Sequence, residues 1–256
     1  MAMFDLSGKH ALVTGAMGPL QRALAVGLAE AGADVSLTTA TTAMAEEDQA
    51  NSILNECWSI GRRGEALTLS IADEGAVEAA VAGLEERIGP ISILVNASHA
   101  VVVKPFVEMA SEEELGLFSR NVESVLVPTR VVGKRMLERG QGRVVNVASI
   151  LSDRGVPNCA VFSATQGAIV GFTKALGIEW IRQGVTVNAL GVGFYEDVPG
   201  PQQDPALREI LEKYIPVRRL GQAADLQGAL VYLVSDEAGF IDSEVIVVDG
   251  AISVHA

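Results

Sequence analysis

Ser149, His99, Cys159 and Tyr195 carry a hydroxyl, an imidazole, a thiol and a phenol, the groups in this sequence best suited to chemistry. A histidine can change charge near neutral pH, so His99 is a candidate proton carrier. The plainer reading is that it fills space and bonds to backbone. Cys159 stands three residues before Phe162 and reads either as a packing thiol or as part of a site. Tyr195, Glu196 and Asp197 could deliver an acid from a loop, although loop acids are commonly just solvated. Together with Phe162, Gln166 and Gly193, these residues make an aromatic wall with a few polar groups, the usual character of a small-molecule pocket. The two cysteines, Cys57 and Cys159, make neither a disulfide framework nor a zinc set, and no metal is expected.

Short apolar runs must hold these side chains in place. Seven occur, at His10–Thr14, Val35–Thr38, Ala66–Leu69, Ile91–Val95, Arg143–Val147, Val185–Leu190 and Val245–Val248. Near-continuous apolar character predicts strands buried on both faces. Helical spacing fills the gaps at Leu20–Ala31, Ala76–Ile88, Glu112–Glu138, Ala164–Arg182 and Ala223–Val234. Strands alternating with helices predict one α/β domain over residues 1–256, a doubly wound parallel sheet with helices on both faces. Ser111 before three glutamates reads as a helix cap, and Gly140, Gly142 and Gly184 read as helix ends. Residues 191–214, a Gly/Pro-rich loop followed by a short helix, are expected to form a lid at the carboxyl edge of the sheet, where open α/β sheets bind ligands.

Composition narrows the partners. Nineteen basic against thirty-two acidic residues leave a formal charge of −13, which argues against nucleic acid. No apolar run reaches the length that crosses a bilayer, so no membrane partner is expected. Met1-Ala2-Met3-Phe4-Asp5 carries no secretion pattern, and a cytoplasmic location is the expectation.

A series of motifs then runs along the chain. Thr14-Gly15-Ala16-Met17-Gly18 opens a helix, and Asn96-Ala97-Ser98-His99 and Asn121 follow. Val145-Asn146-Val147-Ala148-Ser149, Phe162-Ser163-Ala164-Thr165-Gln166, Asn188, Arg219-Leu220-Gly221 and Asp249-Gly250 complete it. In order and spacing the chain resembles the short-chain dehydrogenase/reductase family over essentially its whole length. The resemblance implies a seven-stranded Rossmann sheet, a dimer or tetramer, and NAD(P)-dependent hydride transfer. It also implies a catalytic Ser, Tyr-x-x-x-Lys and Asn. Ser149 and Asn121 match, but the Tyr and Lys positions hold Phe162 and Gln166.

A benzene ring has no proton to give, and a neutral amide cannot lower a neighbour's pKa by charge. The nucleotide side departs as well. Pro19 and Gln21 stand where the family pattern implies glycines, which leaves Gly15, Gly18 and Asn96 as vestiges of the cofactor seat. Neither an acid nor a base stands near Thr39, and His99 replaces a glycine. The expectation is therefore a relative that has lost ordinary NAD(P)-dependent chemistry, needs no cofactor, and binds a small molecule or plays a non-redox role in the cleft. The alternative is a divergent NAD- or NADP-dependent oxidoreductase acting on a carbonyl or hydroxyl, with His99 or Tyr195 as substitute proton donor. A homo-oligomer is expected from the resemblance, with a hetero-oligomer as the alternative.

Overall fold

The computed structural model describes residues 3–71 and 73–255, so Met1 and Ala2 of the N-terminal reading lie outside the described residues. Seven parallel strands form one sheet: β1 (His10–Thr14), β2 (Asp34–Thr38), β3 (Ala66–Leu67), β4 (Ile91–Asn96), β5 (Gly142–Ser149), β6 (Val185–Val192) and β7 (Val245–Val248). Their order is β3-β2-β1-β4-β5-β6-β7. The helices are α1 (Pro19–Glu30), α2 (Met44–Ser59), α3 (Glu74–Arg87), α4 (Ser111–Phe118), α5 (Ser124–Arg139), α6 (Ala160–Trp180), α7 (Pro205–Tyr214) and α8 (Gln227–Val234).

Alternation along β1 shows how the sheet feeds two cores. Ala11 and Val13 join Leu24 and Leu28 of α1, Ile53 and Leu54 of α2, and Leu230 and Leu233 of α8. Leu12 points the other way, into Val77, Val81 and Leu84 of α3 and Val131, Val132 and Met136 of α5. Both faces are covered, which is why the strands are apolar throughout. Among the described residues no helix is long and apolar enough to cross a membrane.

Several elements depart from the sequence expectation. Helix α2 was not anticipated, because only Ala50, Ile53, Leu54 and Cys57 of its sixteen residues are buried. The predicted helix over 112–138 is interrupted by a π-type turn at Ser119–Glu123. There the Ser124 hydroxyl bonds the Arg120 carbonyl at 2.6 Å, and Asn121 is turned inward. Such turns interrupt helices where a side chain must be aimed. The cap of α4 is Ala110 rather than Ser111, and its N–H is taken by the Glu113 carboxylate at 2.9 Å. Gly140 and Gly184 have the left-handed conformation expected of helix ends, at φ 68° and 81°. Gly142 instead opens β5, where a Cβ would meet Met136 Sδ at 2.5 Å. Residues 191 and 192 belong to β6, so the segment beyond the sheet begins at Gly193.

Candidate functional site

The strand order reverses between β1 and β4, and a crevice opens there at the carboxyl edge. Gly15 leaves β1 at φ 116°, and a Cβ on it would lie 2.8 Å from the Ala97 carbonyl oxygen. Only glycine fits so close to the β4 backbone. Gly18 then starts α1 in an extended conformation with no side-chain cap, and Pro19 occupies the first turn, where its missing N–H costs nothing. Gln21 fills the contact between α1 and β4 and donates from Nε2 to the Ala97 carbonyl at 2.6 Å.

A cavity of about 490 Å³ lies over this turn, lined among others by Ala16, Glu46, Ser70, Ser98, His99 and Arg120. Glu46 corrects the expectation that no acid stands at the end of β2. It arrives from the first turn of α2 and accepts the Ala40 N–H at 2.8 Å and the Thr41 N–H at 3.3 Å. The signal was hidden inside the unanticipated helix. Arg120, in the π-type turn, was missed too, and it lines the cavity.

Asn96 sits below the cavity as a strut. Its Nδ2 donates to Thr129 Oγ1 and to Asn146 Oδ1, each at 2.8 Å, and Thr14 Oγ1 donates to its Oδ1 at 3.3 Å. Asn146 Nδ2 continues the ladder to Thr173 Oγ1 at 2.9 Å. Every polar atom of the Asn96 side chain is thus committed to holding strands and helices together, which corrects its reading as part of the cofactor seat.

Of the positions that the family pattern makes catalytic, Asn121 and Gln166 are joined through Thr165. Ser149 ends β5, where its hydroxyl accepts the Leu151 N–H at 3.2 Å and lies 3.4 Å from the Val192 carbonyl. Asn121 clamps Ala100 from both sides, with Oδ1 accepting its N–H at 2.7 Å and Nδ2 donating to its carbonyl at 2.8 Å. Thr165, which the sequence did not single out, accepts a second Asn121 bond at 3.0 Å and one from Gln166 Nε2 at 3.3 Å. Gln166 is fully buried, and its Oε1 has no partner. Phe162 is buried and meets the His99 ring edge-on, with centroids 5.2 Å apart. His99 Nδ1 is likewise buried without a partner. Desolvation pushes the His99 pKa down to about 4, opposed by the Pro199 carbonyl facing the ring, so the imidazole is neutral at neutral pH.

Of the seven residues expected to share one pocket, His99 lines the cavity; Ser149, Phe162 and Gln166 are not in its lining, and Cys159, Tyr195 and Gly193 are taken up by packing and pairing. Cys159 is sealed in an apolar cluster with Leu151, Phe194, Leu211 and Ile215, and burial pushes its thiol pKa up. Tyr195 packs its ring against Gly221 and donates its hydroxyl to the Val248 carbonyl at 2.6 Å. Burial raises its pKa, and its proton is committed to that carbonyl rather than offered to the cleft. Gly193 passes so close to Asp249 that a Cβ would meet its Cβ at 2.7 Å, and its N–H bonds the Val248 carbonyl. These three serve packing and pairing. Periodicity and spacing along a strand end could not separate inward from cleft-facing positions.

The family model described as enoyl-(acyl carrier protein) reductase matches residues 15–253. The chain is 33% identical to a gluconate 5-dehydrogenase of Gluconobacter oxydans over 98% of this chain and 97% of that protein. It is 32% identical to the 3-oxoacyl-(acyl-carrier-protein) reductase of Escherichia coli, over 96% of this chain and 98% of that one. Among solved structures it is similar to a gluconate 5-dehydrogenase from Burkholderia cenocepacia in complex with NADP and tartrate. That likeness has a TM-score of 0.90 at 29% identity and covers 99% and 98% of the two chains. These findings overturn the expectation of lost dehydrogenase chemistry, because relatives spanning nearly the whole chain are named dehydrogenases and reductases. The expectation of a cofactor-free protein is left without support, since that neighbour is in complex with NADP. Sheet order, motif series and full-length relatives agree, and the chain belongs to the short-chain dehydrogenase/reductase family.

Proposed function

We infer that this chain is an NAD(P)-dependent oxidoreductase that interconverts a hydroxyl and a carbonyl on a small substrate. The observation that carries the reading is the full-length likeness to the NADP complex, joined to a cavity of about 490 Å³ at the sheet's switch point. The residues present fit a dinucleotide. Gly15 keeps the first turn close to β4, and the uncapped N-terminus of α1 offers backbone N–H groups to a pyrophosphate. Gln166 Oε1, buried and unpartnered, is an acceptor that a ribose hydroxyl would satisfy. When bound, the nicotinamide ring supplies a hydride acceptor or donor.

The chain's own residues do the rest. Ser149 presents a hydroxyl for the substrate oxygen at the end of β5. Asn121 and Thr165 fix the β4 loop and the first turns of α6. Residues 193–214 form the substrate-side cover, held by Gln202 Nε2 donating to the Tyr195 and Val198 carbonyls at 2.7 and 2.8 Å.

Thermal unfolding with NAD, NADH, NADP and NADPH in turn tests the reading. A ligand at 100 times its dissociation constant adds about 2.7 kcal/mol. One oxidised–reduced pair is expected to stabilise the protein, and no shift with any of the four at millimolar concentration overturns the reading.

A further inference from the structure

We propose that His99, at the end of β4, is the proton-transfer residue of this enzyme, in place of the phenol that Phe162 lacks. The proposal rests on the oxidoreductase reading above and adds to it the atom that handles the substrate proton.

Among the phenols, imidazoles and thiols, position sets aside all but His99. The sequence has three tyrosines and three histidines. Tyr195 donates into the core to Val248. Tyr214 stacks on His255 near the C-terminus at 5.0 Å, and Tyr232 meets Phe4 at 5.9 Å. His10 begins β1, at the opposite edge of the sheet, and bonds Gly89 and Ser36. The two cysteines are buried in apolar clusters. Of the loop acids, Glu196 pairs with Arg208 at 3.0 Å and Asp197 accepts the Ala223 N–H at 3.0 Å.

His99 is also held as a working group must be. Its chain neighbours are pinned on both sides, Ser98 by the Ser124 hydroxyl at 2.7 Å and Ala100 by the two Asn121 bonds. Phe162 meets the ring edge to face, His99 lines the cavity, and its Nδ1 is buried without a hydrogen-bond partner. An unsatisfied buried nitrogen costs free energy unless a ligand completes it. Asn121 thereby becomes a positioning residue for the imidazole. Around the cavity the charged side chains are Glu46 and Arg120, and on the cover Glu196 and Asp197 are already paired.

In oxidation, the substrate O–H bond breaks and its proton goes to the bare nitrogen of the neutral imidazole. The oxygen's electron pair forms the carbonyl as the carbinol C–H bond breaks, and that hydrogen leaves with its pair as hydride to the oxidised dinucleotide. In reduction the imidazolium returns the proton to the carbonyl oxygen, so reduction speeds up as pH falls towards the imidazole's low pKa.

The test uses the full chain with two probes, D-gluconate plus NADP or NAD and a 3-oxoacyl thioester plus NADPH or NADH. At saturating dinucleotide, with binding titrated separately, His99→Gln and His99→Ala are expected to lose about 10²–10⁴ in turnover. Free imidazole is expected to restore part of the rate to His99→Ala alone. In labelled-imidazole NMR of the three histidines, the signal absent from His99→Gln is expected to titrate near 4 and to move on saturation with the dinucleotide. Wild-type turnover in both variants, or a His99 signal indifferent to a dinucleotide that demonstrably binds, overturns the proposal while leaving the oxidoreductase reading standing. Failure of wild type to bind any of the four dinucleotides overturns both.

Discussion

The Gln21 side-chain amide donates a 2.6 Å hydrogen bond to the Ala97 carbonyl, joining the first turn of α1 to the end of β4. Both groups are buried, so the bond replaces a close helix–sheet contact with a polar tie. Gln21→Ala is expected to strand the carbonyl and lower stability by about 1–3 kcal/mol in urea unfolding. An unchanged midpoint would mean that water or a backbone shift satisfies Ala97.

Gly15 tests the same turn from below. At φ 116°, with the Ala97 oxygen 2.8 Å from any Cβ, Gly15→Ala must move one of the two strand ends. The expected cost is about 1–3 kcal/mol, with a matching loss of dinucleotide affinity measured by titration. Wild-type stability in this variant would show that the turn is freer than its geometry.

Acid stability follows from two histidines. Burial holds both His10 and His99 below the ordinary imidazole value, His99 at about 4. Between about 4 and 6.5 the unfolded chain therefore binds protons that the folded chain refuses. Stability from these groups is complete above pH 6.5 and drains away as pH falls towards 4. Denaturant unfolding against pH is expected to give a shallower acid limb in His99→Gln, the single proton involved capping the difference at about 1.4 kcal/mol per pH unit. Superimposable limbs would remove His99 from the titration.

Glu46 stands at the end of β2, where a carboxylate disfavours a further phosphate on an adenosine ribose. Glu46→Gln is expected to shift the ratio of NADP to NAD affinity towards NADP by about tenfold, about 1.4 kcal/mol. Binding titrations of both dinucleotides decide it, and an unmoved ratio means the acid serves only to hold Ala40 and Thr41.

How far the sequence could be read varies by residue. The strands were legible because burial on both faces leaves long apolar runs, and β1 and β7 have the predicted bounds. Helix α2 was hidden because it rests on the core by one narrow stripe and leaves Trp58 half exposed. Ser149, Asn121, Phe162 and Gln166 were named from motif order; in the fold Asn121 and Gln166 meet through Thr165, and Ser149 ends β5. Cys159, Gly193 and Tyr195 were misplaced because adjacent loop positions face opposite directions once the chain leaves a strand.

Periodicity alone determined the sheet, and the order of motifs carried the resemblance to the family, which implies a Tyr and a Lys where Phe162 and Gln166 stand. Only the folded chain decided that Glu46 reaches the β2 end, that Asn96 is spent on struts, and that His99 lies against Phe162 with a free buried nitrogen. Those outcomes depend on contacts between segments tens of residues apart, whose directions are set by packing rather than by local pattern.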